Sequence, residues 1–265
     1  MDLTIKLQNA FSSYSKKLSL FFIFVGEIFA LSFETFKCSF SRPFYFSRLM
    51  EQINLIGYGS ISITVVIGLT MGLVMALNFG YGLAKFGGTL YVPAVVSLSL
   101  AREMAPLFTS LLVAGRVGSG IAAEIGSMNV TQQVDAIRAL GTSPIRVLVV
   151  PRFWALIISL PLLSALSFGV GIIGAMIVCR TEFDILPSFY LNKVFTTVKF
   201  HDYMSGLVKS AAFAGIITIF ACYRGLNTKE GTKGVGMSTT WVVVTASILI
   251  LITDFFFSKI FLVIW

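Results

Sequence analysis

The sequence predicts an all-α, polytopic membrane protein with five transmembrane helices, an N-terminal interfacial amphipathic helix and a further short cytoplasmic helix. Of its 265 residues, 56% are hydrophobic and only 12% are charged, about half the quarter that is usual in soluble domains. The apolar residues form runs that approach or exceed the roughly 20 residues needed to cross a bilayer. The charged residues lie mostly between these runs.

This composition excludes a disordered chain, a collagen-like chain and an ordinary soluble globule. Five spans and their loops use nearly the whole chain, so no room is left for a separate soluble catalytic domain. We attribute the net charge of +8 to orientation and to anionic lipid headgroups rather than to nucleic acid. Three isolated cysteines and one histidine predict no disulfide framework, metal site or catalytic cluster.

The first predicted element lies within a cytoplasmic N-terminal region, residues 1–54. Residues 18–36 are rich in Phe, but Glu27 and Glu34 interrupt the run. This pattern favours an amphipathic helix lying along the membrane over a sixth span, which stays open as the alternative.

The transmembrane domain is predicted at 55–265, with spans at about 56–80, 88–115, 150–179, 203–223 and 236–262. An odd number of spans places the two ends of the chain on opposite sides. Thirteen Lys and Arg residues fall on the side of the N-terminus and five on the other, so the N-terminus is predicted to be cytoplasmic. Glycines within the spans, which indicate close helix packing, are Gly68, Gly72, Gly169, Gly171 and Gly174.

The loop between the second and third spans, residues 116–149, is the least apolar part of this domain. Asn129 is predicted to cap a short helix, with Gln132 three residues later, and Gly141 to end it. The helix could rest on the membrane or on its own bundle, or it could dock into a cytoplasmic partner; composition favours neither. Its predicted apolar stripe is Val130, Val134, Ile137 and Ala136 or Leu140.

Two adjacent charges, Arg102 and Glu103, interrupt the second span. Each charge near the centre of a bilayer costs about 2.5–3.5 kcal/mol on insertion scales, so such residues face a partner or a cavity. Pro106 cannot donate to the Arg102 carbonyl, which frees a further acceptor. The pair could form salt bridges that fix packing, with Lys209 and Asp254 as partners in other spans, or a polar site for a lipid headgroup or an ion.

Several activities are excluded by missing motifs. The chain has no G-x-x-x-x-G-K-[ST] and no H-E-x-x-H, so it is predicted neither to hydrolyse ATP by a P-loop nor to be a zincin. We therefore predict no catalytic residues and no cofactor bound by this chain.

A set of dense motifs resembles the MlaE/YrbE-type permease family of lipid ABC transporters, which also has plastid members. The resemblance covers about residues 57–260. The matching segments are AREMAP at 101–106, AGRVGS at 114–119, AEIGSM at 123–128, QQVDA at 132–136, VVPR at 149–152, GVG at 234–236, TT at 239–240 and TDF at 253–255.

The resemblance implies a homodimeric permease of the cell inner membrane that moves phospholipid between this membrane and the outer envelope. A separate cytoplasmic ABC ATPase, which would bind ATP and Mg²⁺, is implied as the motor. An MCE-domain lipid-binding protein outside would continue the path. The C-terminus would then be periplasmic.

The resemblance also implies residue roles. Arg102 and Glu103 match the part of the family motif at the lipid pocket. The helix after the second span is implied to couple to the ATPase, through Glu124, Gly126, Gln132, Asp135 and Ala136. The helical spacing of Met75, Phe79, Leu83 and Phe86 favours an acyl-chain lining, although the same stripe also suits a packed core.

Two other functions stay open beside the transporter subunit. One is a membrane scaffold that anchors a cytoplasmic complex without transporting anything. The other is an ion-coupled secondary transporter, which would need no ATPase.

Overall fold

The computed structural model describes residues 2–40, 45–229 and 231–264. Within these residues the chain is all-helical and contains no β-strand, which confirms the predicted all-α class. Eight helices follow one another: α1 (Asp2–Ser39), α2 (Phe46–Ala84), α3 (Thr89–Val130), α4 (Gln133–Ala139), α5 (Ile145–Phe183), α6 (Pro187–Thr197), α7 (Phe200–Leu226) and α8 (Gly231–Ile264).

Five of these helices, α2, α3, α5, α7 and α8, are long and apolar enough to cross a membrane. Helix α1 is not among them. The five candidate spans alternate in direction, so α4 and the α7–α8 connection lie at one end of the bundle, the α4 end. Helix α6 and the C-terminal part of α8 lie at the opposite end, the α6 end.

Glycines set the close packing of α2 against α5, as predicted. A Cβ at Gly68 would lie 2.8 Å from the Ser167 carbonyl oxygen, and one at Gly72 would overlap the backbone of Gly171. Small residues permit this approach, which replaces the hydrophobic driving force that is missing between helices in lipid. Gly169 departs from the prediction, because a Cβ there would meet no atom within 4 Å.

Buried apolar side chains form two main clusters. The larger joins α2, α3, α5, α7 and α8, and includes Phe213 and Ile217. The second lies towards the α6 end, where Tyr190 of α6 packs with side chains of α2, α3 and α5. Helix α6 therefore closes the bundle at this end.

Helix α1 packs on the outside of α7 and α8 near the α4 end. The Phe24 ring lies edge-on to Tyr223 and Trp241, with centroids 5.4 and 5.9 Å away. The Tyr223 hydroxyl donates to Glu27 Oε2 over 2.6 Å, which gives one of the predicted interrupting acids a polar partner.

Candidate functional site

The charged pair of the second span lies in a π-helical turn of α3, Leu100–Met104. Pro106 lies two residues after this turn and has no N–H to offer the Arg102 carbonyl. A regular α-helical hydrogen bond is therefore impossible there. π-Helical turns inside α-helices are rare and frequently lie at functional sites. Helix α7 approaches closely at this level, because Gly206 has no side chain to collide with the Ala101 carbonyl.

Arg102 is held by Asp202 of α7. Its Nε donates to Asp202 Oδ1 over 2.8 Å, and Nη2 contacts the same oxygen. The other carboxylate oxygen of Asp202 accepts the backbone N–H of Lys199 over 2.9 Å, which caps the first turn of α7. Asp202 is buried, and His201 Nε2 lies 3.4 Å from its Oδ1. One carboxylate thus anchors both the arginine and the start of a helix.

Glu103 is held by Lys209, whose side chain is only 1% exposed. The Lys209 Nζ lies 2.6 Å from Glu103 Oε2, 3.1 Å from Asp254 Oδ1 and 2.7 Å from Ser258 Oγ. Ser258 also donates to Glu103. Lys209 and Asp254, which the sequence suggested as partners, therefore join Glu103 and not Arg102.

These side chains form one ion-pair cluster that joins α3, α7 and α8, which we define as Arg102, Glu103, Asp202, Lys209, Asp254 and Ser258. A cavity of about 40 Å³ opens beside it, lined by cluster residues together with His201, Ser205 and Phe261. This volume holds one or a few water molecules. The salt bridges that the sequence posed as one alternative are thus present, and a small cavity lies beside them.

The predicted acyl-chain stripe is brought together only in part. Met75, Phe79 and Leu83 are partly buried against the cluster at the α6 end, as is Met104, two residues from Arg102. Phe86 is wrongly predicted to share this face, because α2 ends at Ala84 and the Phe86 side chain is 87% exposed.

The residues that the resemblance implies to couple to an ATPase lie at the α4 end. Helix α3 continues through residues 116–130, and there the Glu124 carboxylate meets Arg152 of α5 at 2.7 Å. Arg152 is buried, and its Nη1 donates to the Leu148 carbonyl over 2.7 Å. Gly126 faces Thr228 in the α7–α8 connection, where a Cβ would lie 3.0 Å from Thr228 Oγ1.

Asn129 is wrongly predicted to cap the short helix. It lies within α3, and its side-chain amide donates to the Thr228 carbonyl over 2.9 Å. Helix α4 starts instead after Gln132, which has a left-handed conformation with φ of 60° and caps nothing with its side chain. Gly141, with φ of +74°, follows the end of α4 as predicted.

Helix α4 is anchored by few residues and otherwise faces outward. Val134 is buried and Ile137 packs beside it. The predicted stripe fails at Val130, which lies in α3 and is exposed, at Ala136, which is exposed, and at Leu140, which is 82% exposed. Among the residues that the structure describes, Asp135 pairs with Arg138 on the same surface, at 3.0 Å. The exposed residues of α4 therefore form a surface that the bundle itself does not cover.

Sequence reasoning missed Asp202, Ser258 and the pairing role of Arg152. Asp202 gives a weak signal as a carboxylate just inside the start of a span, because the same position is typical of a helix cap. Ser258 gives none, since serine is common in spans. Arg152 lies in a matched motif, but its partner is in another helix.

A bundle of five candidate spans with charges paired inside it is the architecture of a multi-pass membrane protein. The sequence profile of the family described as Permease MlaE matches residues 49–260. The chain belongs to this family and is a permease subunit.

Curated relatives agree with this assignment. A probable ABC transporter permease protein of Rickettsia felis is 38% identical over 96% of this chain and 98% of its own length. A probable ABC transporter permease protein of Synechocystis is 39% identical over 91% of this chain and 92% of its own length. The protein named TRIGALACTOSYLDIACYLGLYCEROL 1, chloroplastic, of Arabidopsis thaliana is 32% identical over 82% of this chain and 62% of its own length.

Proposed function

We propose that this chain is the permease subunit of an ABC-type transporter that moves phospholipid between the cell inner membrane and the outer envelope. A separate cytoplasmic ATPase drives it and binds the ATP and Mg²⁺. The observation that carries the proposal is the ion-pair cluster, since charged groups of three candidate spans converge beside a cavity. Ionisable residues inside a membrane mark substrate paths by default. A plant relative that is named after a galactolipid supports a lipid substrate.

Arg102 and Glu103 bind the polar headgroup in this proposal, and Met75, Phe79 and Leu83 line the path of the acyl chains. A cavity of about 40 Å³ is far below the roughly 300–1,000 Å³ of ligand pockets. Transport therefore requires α3, α7 and α8 to separate around the cluster. The described conformation corresponds to a closed state of the site.

Helix α4 docks into the ATPase in this proposal. Its exposed surface includes Gln132, Asp135 and Ala136, and α3 and α5, which flank it, are joined by the Glu124–Arg152 ion pair. Movement of α4 would pass to both spans through this pair and through the contact of Gly126 with the α7–α8 connection.

The coupling role is tested by E124Q/D135N in the complex with its ATPase. We expect ATP hydrolysis to persist while ATP-dependent lipid transfer falls, because the docking surface and its link to the spans are altered. E182Q, at an exposed carboxylate near the opposite end of α5, is the control variant. Normal transfer by the double variant with full ATPase binding would contradict the coupling role.

Helix α1 lies along the cytoplasmic membrane surface in this proposal. Four phenylalanines on it and one directly after its end form an exposed stripe at helical spacing, as expected for a helix whose apolar face enters the headgroup boundary. They are Phe22, Phe29, Phe33, Phe36 and Phe40.

The N-terminus is then cytoplasmic and the C-terminus periplasmic, as the distribution of basic residues predicts. Two copies of the chain form a homodimer, and an MCE-domain protein receives or delivers lipid outside.

Reconstitution tests the proposed function. The chain and its ATPase are inserted into vesicles with a fluorescent phospholipid, and transfer to an MCE-domain acceptor is measured with and without ATP. We expect transfer that requires ATP. A scaffold would give no transfer, and a secondary transporter would respond to an ion gradient without ATP; either result would overturn the proposal.

A further inference from the structure

The hydrogen bonds of the ion-pair cluster restrict the headgroup that it can take. We propose that the cluster selects a zwitterionic headgroup with a primary ammonium, of the phosphatidylethanolamine type, over a headgroup with net negative charge. This inference rests on the proposed function, because it names the lipid class for the same site.

Lys209 is bound within the cluster and is not available to a lipid phosphate. Its Nζ donates to Glu103 Oε2 and Ser258 Oγ and forms an ion pair with Asp254 Oδ1 at 3.1 Å. Its side chain is also fully enclosed. The lysine therefore neutralises carboxylates and does not bind substrate.

Arg102 keeps a limited capacity for phosphate. Its Nε and Nη2 are directed at Asp202, whereas a guanidinium has five N–H donors. The side chain is one third exposed and lines the cavity. The remaining N–H groups can contact one phosphate oxygen without breaking the ion pair with Asp202.

Charge balance then disfavours an anion. The described residues of the cluster contain two basic side chains, Arg102 and Lys209, and three acidic ones, Glu103, Asp202 and Asp254. Their formal net charge is −1 with a neutral His201 and zero with a protonated one. In neither state is there surplus positive charge, and the poorly hydrated interior strengthens the repulsion of a further anion.

A zwitterionic headgroup suits both the charge balance of the cluster and its available donors and acceptors. It adds no net charge, its phosphate can accept from Arg102, and its ammonium can donate to Glu103. The Glu103 side chain is 34% exposed, and its two oxygens offer about four acceptor positions, of which Lys209 and Ser258 use a part. Glu103 is thus the ammonium-binding residue of the pair.

The test measures which lipid the purified complex of this chain and its ATPase retains. The complex is incubated in nanodiscs with equal phosphatidylethanolamine and phosphatidylglycerol, then washed, and the bound lipid is quantified by mass spectrometry. We expect the wild-type complex to enrich phosphatidylethanolamine by about tenfold, the ratio that corresponds to about 1.4 kcal/mol. E103Q removes one negative charge and should lower the enrichment to about threefold or less.

D254N makes the same charge change from α8 and covers the case in which E103Q does not fold. E182Q, at an exposed carboxylate outside the cluster, is the matched control and should retain the wild-type ratio. The inference would be overturned if the lipid bound to the wild-type complex has the input ratio or is enriched in phosphatidylglycerol. It would also be overturned if both E103Q and D254N retain the wild-type enrichment of phosphatidylethanolamine. If one of these results is found while ATP-driven lipid transfer persists, only the headgroup inference fails. If the wild-type complex instead binds no lipid and transfers none, the proposed function is contradicted.

Discussion

Replacing Lys209 by methionine should strongly destabilise the bundle. The change removes the single cation that faces both Glu103 and Asp254, at 2.6 and 3.1 Å. Removing one partner of a buried ion pair costs about 3–5 kcal/mol, because the remaining charge is left uncompensated. We expect the lower end, about 3 kcal/mol, since Glu103 is 34% exposed and can reach water in the cavity.

The assay is thermal unfolding in mild detergent, followed by size-exclusion chromatography of heated samples. A loss of about 3 kcal/mol corresponds to a melting temperature lower by about 6–12 °C for a chain of this size. K259M is the matched control, because Lys259 is exposed on α8 and its replacement should change stability by about 0.5 kcal/mol or less.

A triple variant separates charge from packing. K209M/E103Q/D254N removes the two carboxylates together with the lysine, and replacing a whole buried network by neutral groups is often close to neutral. We therefore expect it to recover most of the lost stability. The reasoning is refuted if K209M has the same melting temperature as K259M. It is also refuted if the melting temperature of the triple variant is lower than that of K209M.

Three further predictions concern packing and docking. G72V should prevent stable insertion, because its side chain would overlap α5, whereas G169V should accumulate normally; equal amounts of both in membrane fractions would contradict the packing. R152M should lower the melting temperature by about 2–4 °C, because the Leu148 carbonyl loses its partner while Glu124, which is 55% exposed, stays in contact with water; an unchanged melting temperature would show that the Arg152 contacts are not stabilising. L140S should reduce co-purification of the ATPase without changing the melting temperature, because this exposed side chain would lie in the docking surface; full co-purification would exclude it from that surface.

Hydropathy and small residues were sufficient to predict the five spans and the close approach at Gly68 and Gly72. Both signals are local, because a span must satisfy its backbone within its own helix. Span length was harder to predict, since residues 116–130 contain polar side chains and still continue α3 towards the α4 end.

The partners in the candidate site could not be predicted to the same extent. Arg102 and Asp202 are 100 residues apart in the chain, and only the relative rotation of α3 and α7 decides that they meet. The sequence did suggest Lys209 and Asp254, because charges inside spans need partners. The prediction for Asn129 is wrong for a related reason. Its side chain suits a local helix cap, but it donates instead to the carbonyl of Thr228, which is distant in the chain.

The π-helical turn of α3 has a consequence for the number of residues that this helix can hold. Deleting one residue from a regular α-helical span rotates every later side chain by about 100° and so moves each to a new face. A π-helical turn holds one residue more than the α-helical turn that would replace it. Loss of one residue within Leu100–Met104 would therefore leave the two halves of α3 aligned with their neighbours, although Pro106 would still leave one helical hydrogen bond unmade. Such turns are the points where a tightly packed bundle can change by one residue without being repacked.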